Sequence, residues 1–249
     1  MKNIHIIAVA TDLSPGSNAA LDRAVQLAVA HRASLRLLHA FDVSAGHSLQ
    51  GVFDPHRLRT TAPPDVQMRQ QLIERADSLA KQTGLRVEAG FSVGNADNAI
   101  STYVAAHDVS LVVMGSRAEP AMAGLGGTAS KVLRSLACPV LIVRSGGAQP
   151  YEKVLLAIDL REDSARVVAR ALGLFPAAGH YLFHALDPAL DRDDGMRAAV
   201  NAQMDVQHET LYASAARQLG QLAREAMVRF DHQVLTEVVV LISLFSARP

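Results

Sequence analysis

Short apolar runs alternate with longer stretches of helical periodicity over the first 144 residues. Ile4–Ala10 is apolar except for His5 and rich in β-branched residues, the pattern of a strand buried on both faces. Thr11-Asp12-Leu13-Ser14-Pro15 breaks the run, with Ser14 placed as an N-cap and Pro15 at the first helical position. Ala19, Ala20, Ala24, Leu27, Ala28 and Val29 then recur at helical spacing, so a helix is expected to Arg32. Leu35–Ala40 predicts a second strand, and the right-handed crossover rule makes the two strands parallel.

Val43–Pro64 holds Gly, Pro and His without periodicity and reads as a long loop. Asp65–Gln82 resumes a helical pattern that Gly84 stops. Leu85–Val93 predicts a third strand, Ala96–His107 a helix and Ser110–Met114 a fourth strand. After the Gly-rich stretch Gly115–Gly127, a helix over Thr128–Leu136 ends before Pro139, and Val140–Val143 is the fifth strand. The fold class is α/β, a doubly wound five-stranded parallel sheet of Rossmann-like type in which the fourth strand pairs with the first.

The pattern restarts after a short polar linker, Ser145–Pro150. Lys153–Leu160 repeats Ile6–Leu13 with Asp159 in the place of Asp12, and Leu182–Asp187 repeats Leu37–Asp42. Two matches at nearly constant offset indicate a duplication, with domains over residues 1–146 and 151–249. Following a helix to Arg229, Val234–Phe245 supplies a third strand. Nothing corresponds to Gly115–Val143, so this partial second copy is expected to lack its fourth and fifth strands. Lys153–Ile158 would then be an exposed apolar edge, and Val238–Phe245 adds an uncharged stretch of the same kind. Self-association through sheet edges is the expected consequence.

Composition narrows the function. Lys and Arg number 24 and Asp and Glu 24, so no general charge draws the chain to nucleic acid or an anionic membrane. No window approaches the roughly 18 apolar residues of a membrane span. The N-terminal apolar run is too short for a signal peptide, and a cytoplasmic location is expected. Cys138 is the single cysteine, which excludes an intramolecular disulfide; before Pro139 in an apolar stretch, it reads as structural.

Ligands of an open parallel sheet bind beyond the carboxyl ends of its strands, where strand order reverses. Asp12 ends the first strand there, Ala40 the second and Gly115 the fourth. Glycines in the loop after Gly115 let backbone N–H groups approach phosphate oxygens, and Gly127-Thr128 opens a helix whose N-terminus favours an anion. This is a phosphate cradle. Gly124-Leu125-Gly126-Gly127-Thr128-Ala129 also fits G-x-G-x-x-A, but its strand ends some nine residues earlier and the next strand ends in Arg144, against a dinucleotide fold. Asp12 has a second reading as a helix cap, and Asp159, His39 and His184 read as structural. No G-x-S-x-G, H-E-x-x-H or paired Cys/His set is present, so no catalytic or metal residues are assigned and no enzyme is expected.

ATDLSP after a strand, LLHA closing the second, Phe91-Ser92-Val93-Gly94, LVVMGS and GTASKVLRSLACPVLIVR together resemble the universal stress protein family, almost continuously over residues 4–144. The resemblance implies an adenine nucleotide alpha hydrolase-like fold. In nucleotide-binding members the Asp at the position of Asp12 contacts the nucleotide, the backbone at Ala40 meets adenine, and a G-x2-G-x9-G-[S/T] loop wraps the phosphates. Carried over, the nucleotide-binding residues are Ala10, Asp12, Ala40, Gly115, Ala118, Gly127 and Thr128, the ligand is ATP, and Mg2+ arrives only with the nucleotide. Members also associate through their fifth strands, here Val140–Val143.

The sequence departs from that loop in two ways. Ala118 replaces the second glycine, and the spacing from it to Gly127 is one residue short. A lost charge-assisted backbone contact costs about 1.5–3 kcal/mol, about ten- to hundredfold in affinity. Two readings therefore stand: a nucleotide-binding stress-response sensor, or an interaction module of the same fold that does not bind ATP.

Overall fold

The apolar run after His5 folds as β1 (Ile6–Ala10), whose central residues Ile7, Ala8 and Val9 are fully buried. A strand with no solvent face needs helices on both sides, and the chain supplies them. A computed structural model describes residues 4–41, 63–116, 125–144, 149–186, 204–230 and 234–240. The chain divides into two compact units, Met1–Gln149 and Pro150–Pro249.

In the first unit β1 is followed by α1 (Asn18–His31), β2 (Ser34–Phe41), α2 (Pro64–Thr83), β3 (Val87–Val93), α3 (Ala96–Ala106), β4 (Leu111–Gly115), α4 (Gly127–Ser135) and β5 (Val140–Val143). The strands form one parallel sheet in the order β3-β2-β1-β4-β5. Ala8, Leu38, Val112 and Met114 face Ile100 of α3 and Ala129 and Val132 of α4. On the other face, α1 buries Ala20, Leu21, Ala24, Leu27 and Ala28, and Arg75 of α2 donates to the Asn18 side chain of α1 at 2.7 Å. Each fully buried Ile, Leu or Val contributes about 1.5–3 kcal/mol of transfer free energy. Gly84 ends α2 at φ 70°, the left-handed stop expected of it.

Two local expectations change. Ser14 does not cap α1: Pro15–Ser17 forms a single 3-10 turn, and the helix begins at Asn18. The reason is competition, because Asp12 takes both the backbone N–H and the hydroxyl of Ser14. The helix expected from Asp65 begins at Pro64; most of the loop predicted before it, residues 43–62, lies outside the described residues. Cys138 is half-buried, packed against the core below α3 and α4.

The second unit comprises β6 (Lys153–Ala157), α5 (Ser164–Leu174), β7 (Gly179–Leu186), α6 (Met204–Phe230) and β8 (Val234–Val240). Its parallel sheet runs β6-β7-β8, the order of β1-β2-β3. Val168 and Leu172 of α5 join Leu219, Ala223 and Ala226 of α6 over Leu156, Leu182 and Val234. Both helices thus cover the same face. Leu155, on the opposite face of edge strand β6, is 63% exposed. The strand expected to reach Phe245 is described to Val240.

Beneath α3, Arg36 of β2 is buried and pairs with Glu88 of β3 at 2.7 Å, and Arg86 adds a 2.8 Å contact. Burial opposes the charge on Glu88, but hydrogen bonds and attraction from Arg36 and then Arg86 outweigh it and hold the carboxyl below its ordinary value of 4.5. A depressed carboxylate pKa stabilises the fold above the unfolded value and loses that contribution as pH falls through the folded one. Glu88→Gln is therefore expected to lower stability at pH 7 by about 0.5–1 kcal/mol, a screened value because Glu88 is partly exposed. Thermal melts should show the difference shrinking to nothing as the pH drops below about 4.

Candidate functional site

β1 lies between β2 and β4, and the connections on its two sides run over opposite faces of the sheet. The loops leaving the carboxyl ends of β1 and β4 therefore diverge and open a crevice. Ala10 ends β1, half-buried, with Thr11 and Asp12 directly beyond it, and Gly115 ends the neighbouring β4. Ala40 lies at the end of β2, where it is half-buried. The strand register thus brings four of the predicted positions to one end of the sheet.

Asp12 is held by its own turn. Its Oδ1 accepts the Ser14 backbone N–H at 3.0 Å and the Ser14 hydroxyl at 2.6 Å, an Asx turn. Thr11 Oγ1 accepts the Leu13 N–H at 3.0 Å and lies 2.8 Å from Ser17 Oγ. Leu13 is thereby held at φ 62°, a left-handed conformation that costs an L-residue roughly 1–2 kcal/mol. The turn tolerates this because side chains bond on both sides of it.

The second unit repeats the device with a difference. Asp159 Oδ1 accepts the Arg161 N–H at 3.2 Å and the Ser164 hydroxyl at 3.3 Å, and Leu160 sits at φ 59°. The Arg161 backbone hydrogen bond is the main cause of a lowered Asp159 pKa; slight burial opposes it and the Arg161 charge and Ser164 hydroxyl add to it. Arg161 Nε also approaches Asp159 Oδ2 at 3.4 Å, so this aspartate is paired within its own turn.

Beyond β4, Ser116 donates its N–H to Val143 O at 3.0 Å, while its buried hydroxyl has no hydrogen-bond partner among the described residues. The helix α4 starts at Gly127 without a side-chain cap or an acidic residue in its first turn. Its first N–H groups are thus available to an anion. Gly126 before it adopts φ 81°, ψ 154°, a combination open essentially to glycine. Gly127 and Thr128 are exposed at the helix start, and a Cβ on Gly127 would meet nothing within 4 Å. Ala118 lies outside the described residues, as do its neighbours 117–124.

Three participants were not singled out as site residues from the sequence. Ser14 was legible, since Asp-x-Ser is an Asx-turn signal. The demand on Gly126 rather than Gly127 was not, because a Gly-Gly pair does not say which member carries the positive φ. Ser116 was hidden for a similar reason: only the packed structure shows its hydroxyl buried without a partner among the described residues.

The family model described as the universal stress protein family matches residues 3–144. Universal stress protein YxiE of Bacillus subtilis is 34% identical over 142 residues, which are 55% of this chain and 96% of that protein. A solved universal stress protein in complex with cAMP is 25% identical, covering 58% of this chain and 100% of its own, with a TM-score of 0.43. A universal stress protein from Archaeoglobus fulgidus DSM 4304 is 14% identical, covers 96% of this chain and 78% of its own, and has a TM-score of 0.58. That last likeness shows the fold.

The two loop glycines separate conformation from space. Gly126→Ala is expected to destabilise the first unit by about 1–3 kcal/mol through its backbone angles. Gly127→Ala is expected to be neutral or to stabilise by about 0.5–1 kcal/mol, as alanine for glycine within a helix does. Denaturant titration of both variants measures the contrast, and equal losses would show that α4 starts differently.

Proposed function

The chain belongs to the universal stress protein family, and we propose that its first unit binds an adenine nucleotide, ATP with its accompanying Mg2+, as a sensor rather than a catalyst. One observation carries this reading. The buried Ser116 hydroxyl, without a partner among the described residues, and the uncapped start of α4 follow β4, at the same end of the sheet as the Asp12 turn. Amide and hydroxyl donors suit the phosphates, and the anionic turn across the crevice suits ribose hydroxyls. Gly115, Gly127 and Thr128 belong to the phosphate side, Ala10, Asp12 and Ala40 to the nucleoside side, and Ala118 to the loop between.

The second reading, an interaction module that has lost ATP, is favoured by Ala118 standing where the family loop has glycine. Isothermal titration of Mg-ATP distinguishes the two. Under the first reading the wild type binds, Gly127→Ala weakens binding by crowding the phosphates, and Ala118→Gly tightens it by about tenfold. Asp12→Asn keeps the Ser14 turn but removes the charge, so its loss of affinity reports on the ligand and not on folding. No heat and no melting shift at millimolar ATP would make the second reading the better one.

Self-association is the remaining component of the proposal. Among the described residues β6 is an edge strand with unpaired backbone beside the exposed Leu155, the arrangement that invites pairing with another strand. Light scattering should find oligomers that Leu155→Glu dissociates; a monomer in both proteins at high concentration overturns this component.

A further inference from the structure

In a parallel ladder the peptide groups of one strand point alternately to its two neighbours. Thr11 N–H donates to Leu38 O at 2.9 Å, so Leu38 and Ala40 turn their peptides towards β1. Phe41 turns the other way, accepting from Gly94 beyond β3 at 2.9 Å. One further ladder step would give Thr11 O the N–H of Ala40, but that bond is not formed among the described residues. The Thr11 carbonyl instead meets His39 Nδ1 at 2.8 Å.

Because a carbonyl only accepts, Nδ1 of His39 carries the proton. His39 is 6% exposed, its ring lies 5.8 Å from Phe91 centroid to centroid, and its buried Nε2 has no hydrogen-bond partner among the described residues. An imidazole is a costly way to fill such a space unless its one donor matters. The second unit repeats the geometry: Ile158 N–H donates to Phe183 O at 2.8 Å, and His184 Nδ1 meets Ile158 O at 2.6 Å. In both units the clamped carbonyl belongs to the residue before the turn aspartate, and an alanine follows the histidine.

We propose that His39 is a positioning residue of the nucleotide site: its Nδ1–H takes the place of the Ala40 N–H on the Thr11 carbonyl. This fixes the Asp12 turn and leaves the Ala40 peptide, with its donor and its acceptor, to the edge of a heterocyclic base. The inference rests on the nucleotide reading for its ligand, but the clamp itself does not. His184 performs the same substitution in a unit whose aspartate is already paired with Arg161.

Side-chain geometry supplies the test. Asparagine places an amide nitrogen where Nδ1 stands, whereas glutamine places it one bond further out. Amide hydrogen exchange without nucleotide should show Leu13 and Ser14 opening in His39→Gln and protected in His39→Asn. Calorimetry should show ATP affinity about tenfold weaker in His39→Gln and within about twofold of wild type in His39→Asn. His184→Gln serves as the control, opening Arg161 while leaving ATP affinity unchanged. Unaltered exchange at Leu13 and Ser14 in His39→Gln overturns the clamp, and equal ATP affinity in the wild type, His39→Gln and His39→Asn overturns its positioning role. If the exchange responds as stated and the wild type binds no ATP, the clamp stands and the nucleotide reading falls.

Discussion

Everything at the crevice depends on β1 ending before its neighbour does. β1 is hydrogen-bonded on both edges and buried on both faces, and at its carboxyl end its connection diverges from the one that leaves β4. β2 continues to Phe41, alongside β3 to Val93, while β1 stops at Ala10. The mismatch strands the Thr11 carbonyl and the Ala40 peptide where a ladder would have joined them. Buried backbone groups left without partners cost about 1–3 kcal/mol each, so this geometry must be resolved by a side chain, by solvent or by a ligand.

Two side-chain devices resolve most of it. His39 caps the Thr11 carbonyl, and Asp12 folds the next two residues around its own carboxylate. Together they hold Leu13 in a left-handed conformation that a relaxed leucine avoids. Their recurrence at His184, Asp159 and Leu160 is informative because the surroundings differ. The strand-end turn survives in the second unit while Asp159 is neutralised locally by Arg161.

The two units also differ in how they treat their sheets. The first covers both faces, so its central strands β1 and β4 read as nearly continuous apolar sequence. The second packs α5 and α6 together over one face and leaves Leu155 exposed on the other. An edge strand with an exposed leucine is tolerated less readily than a closed one.

Much of the fold was readable from residue order alone. Strands buried on both faces announce themselves as unbroken β-branched runs, Gly84 marked a helix end, and the Asp12/Asp159 and His39/His184 correspondences lay at nearly constant offset. These are local properties, set by periodicity and by the conformations that single residues allow. That Ala10, Asp12, Ala40 and Gly115 lie at one end of the sheet was legible because the carboxyl ends of parallel strands share one side. The tertiary structure alone decided which polar atoms are spoken for. Ser14 turned from helix cap to aspartate partner, Gly126 rather than Gly127 took the demanding backbone angles, and His39 proved to be a backbone donor in disguise. The physical reason is that hydrogen-bond satisfaction is a non-local count: it depends on where β1 stops relative to β2, and that register is settled only when the sheet closes around it.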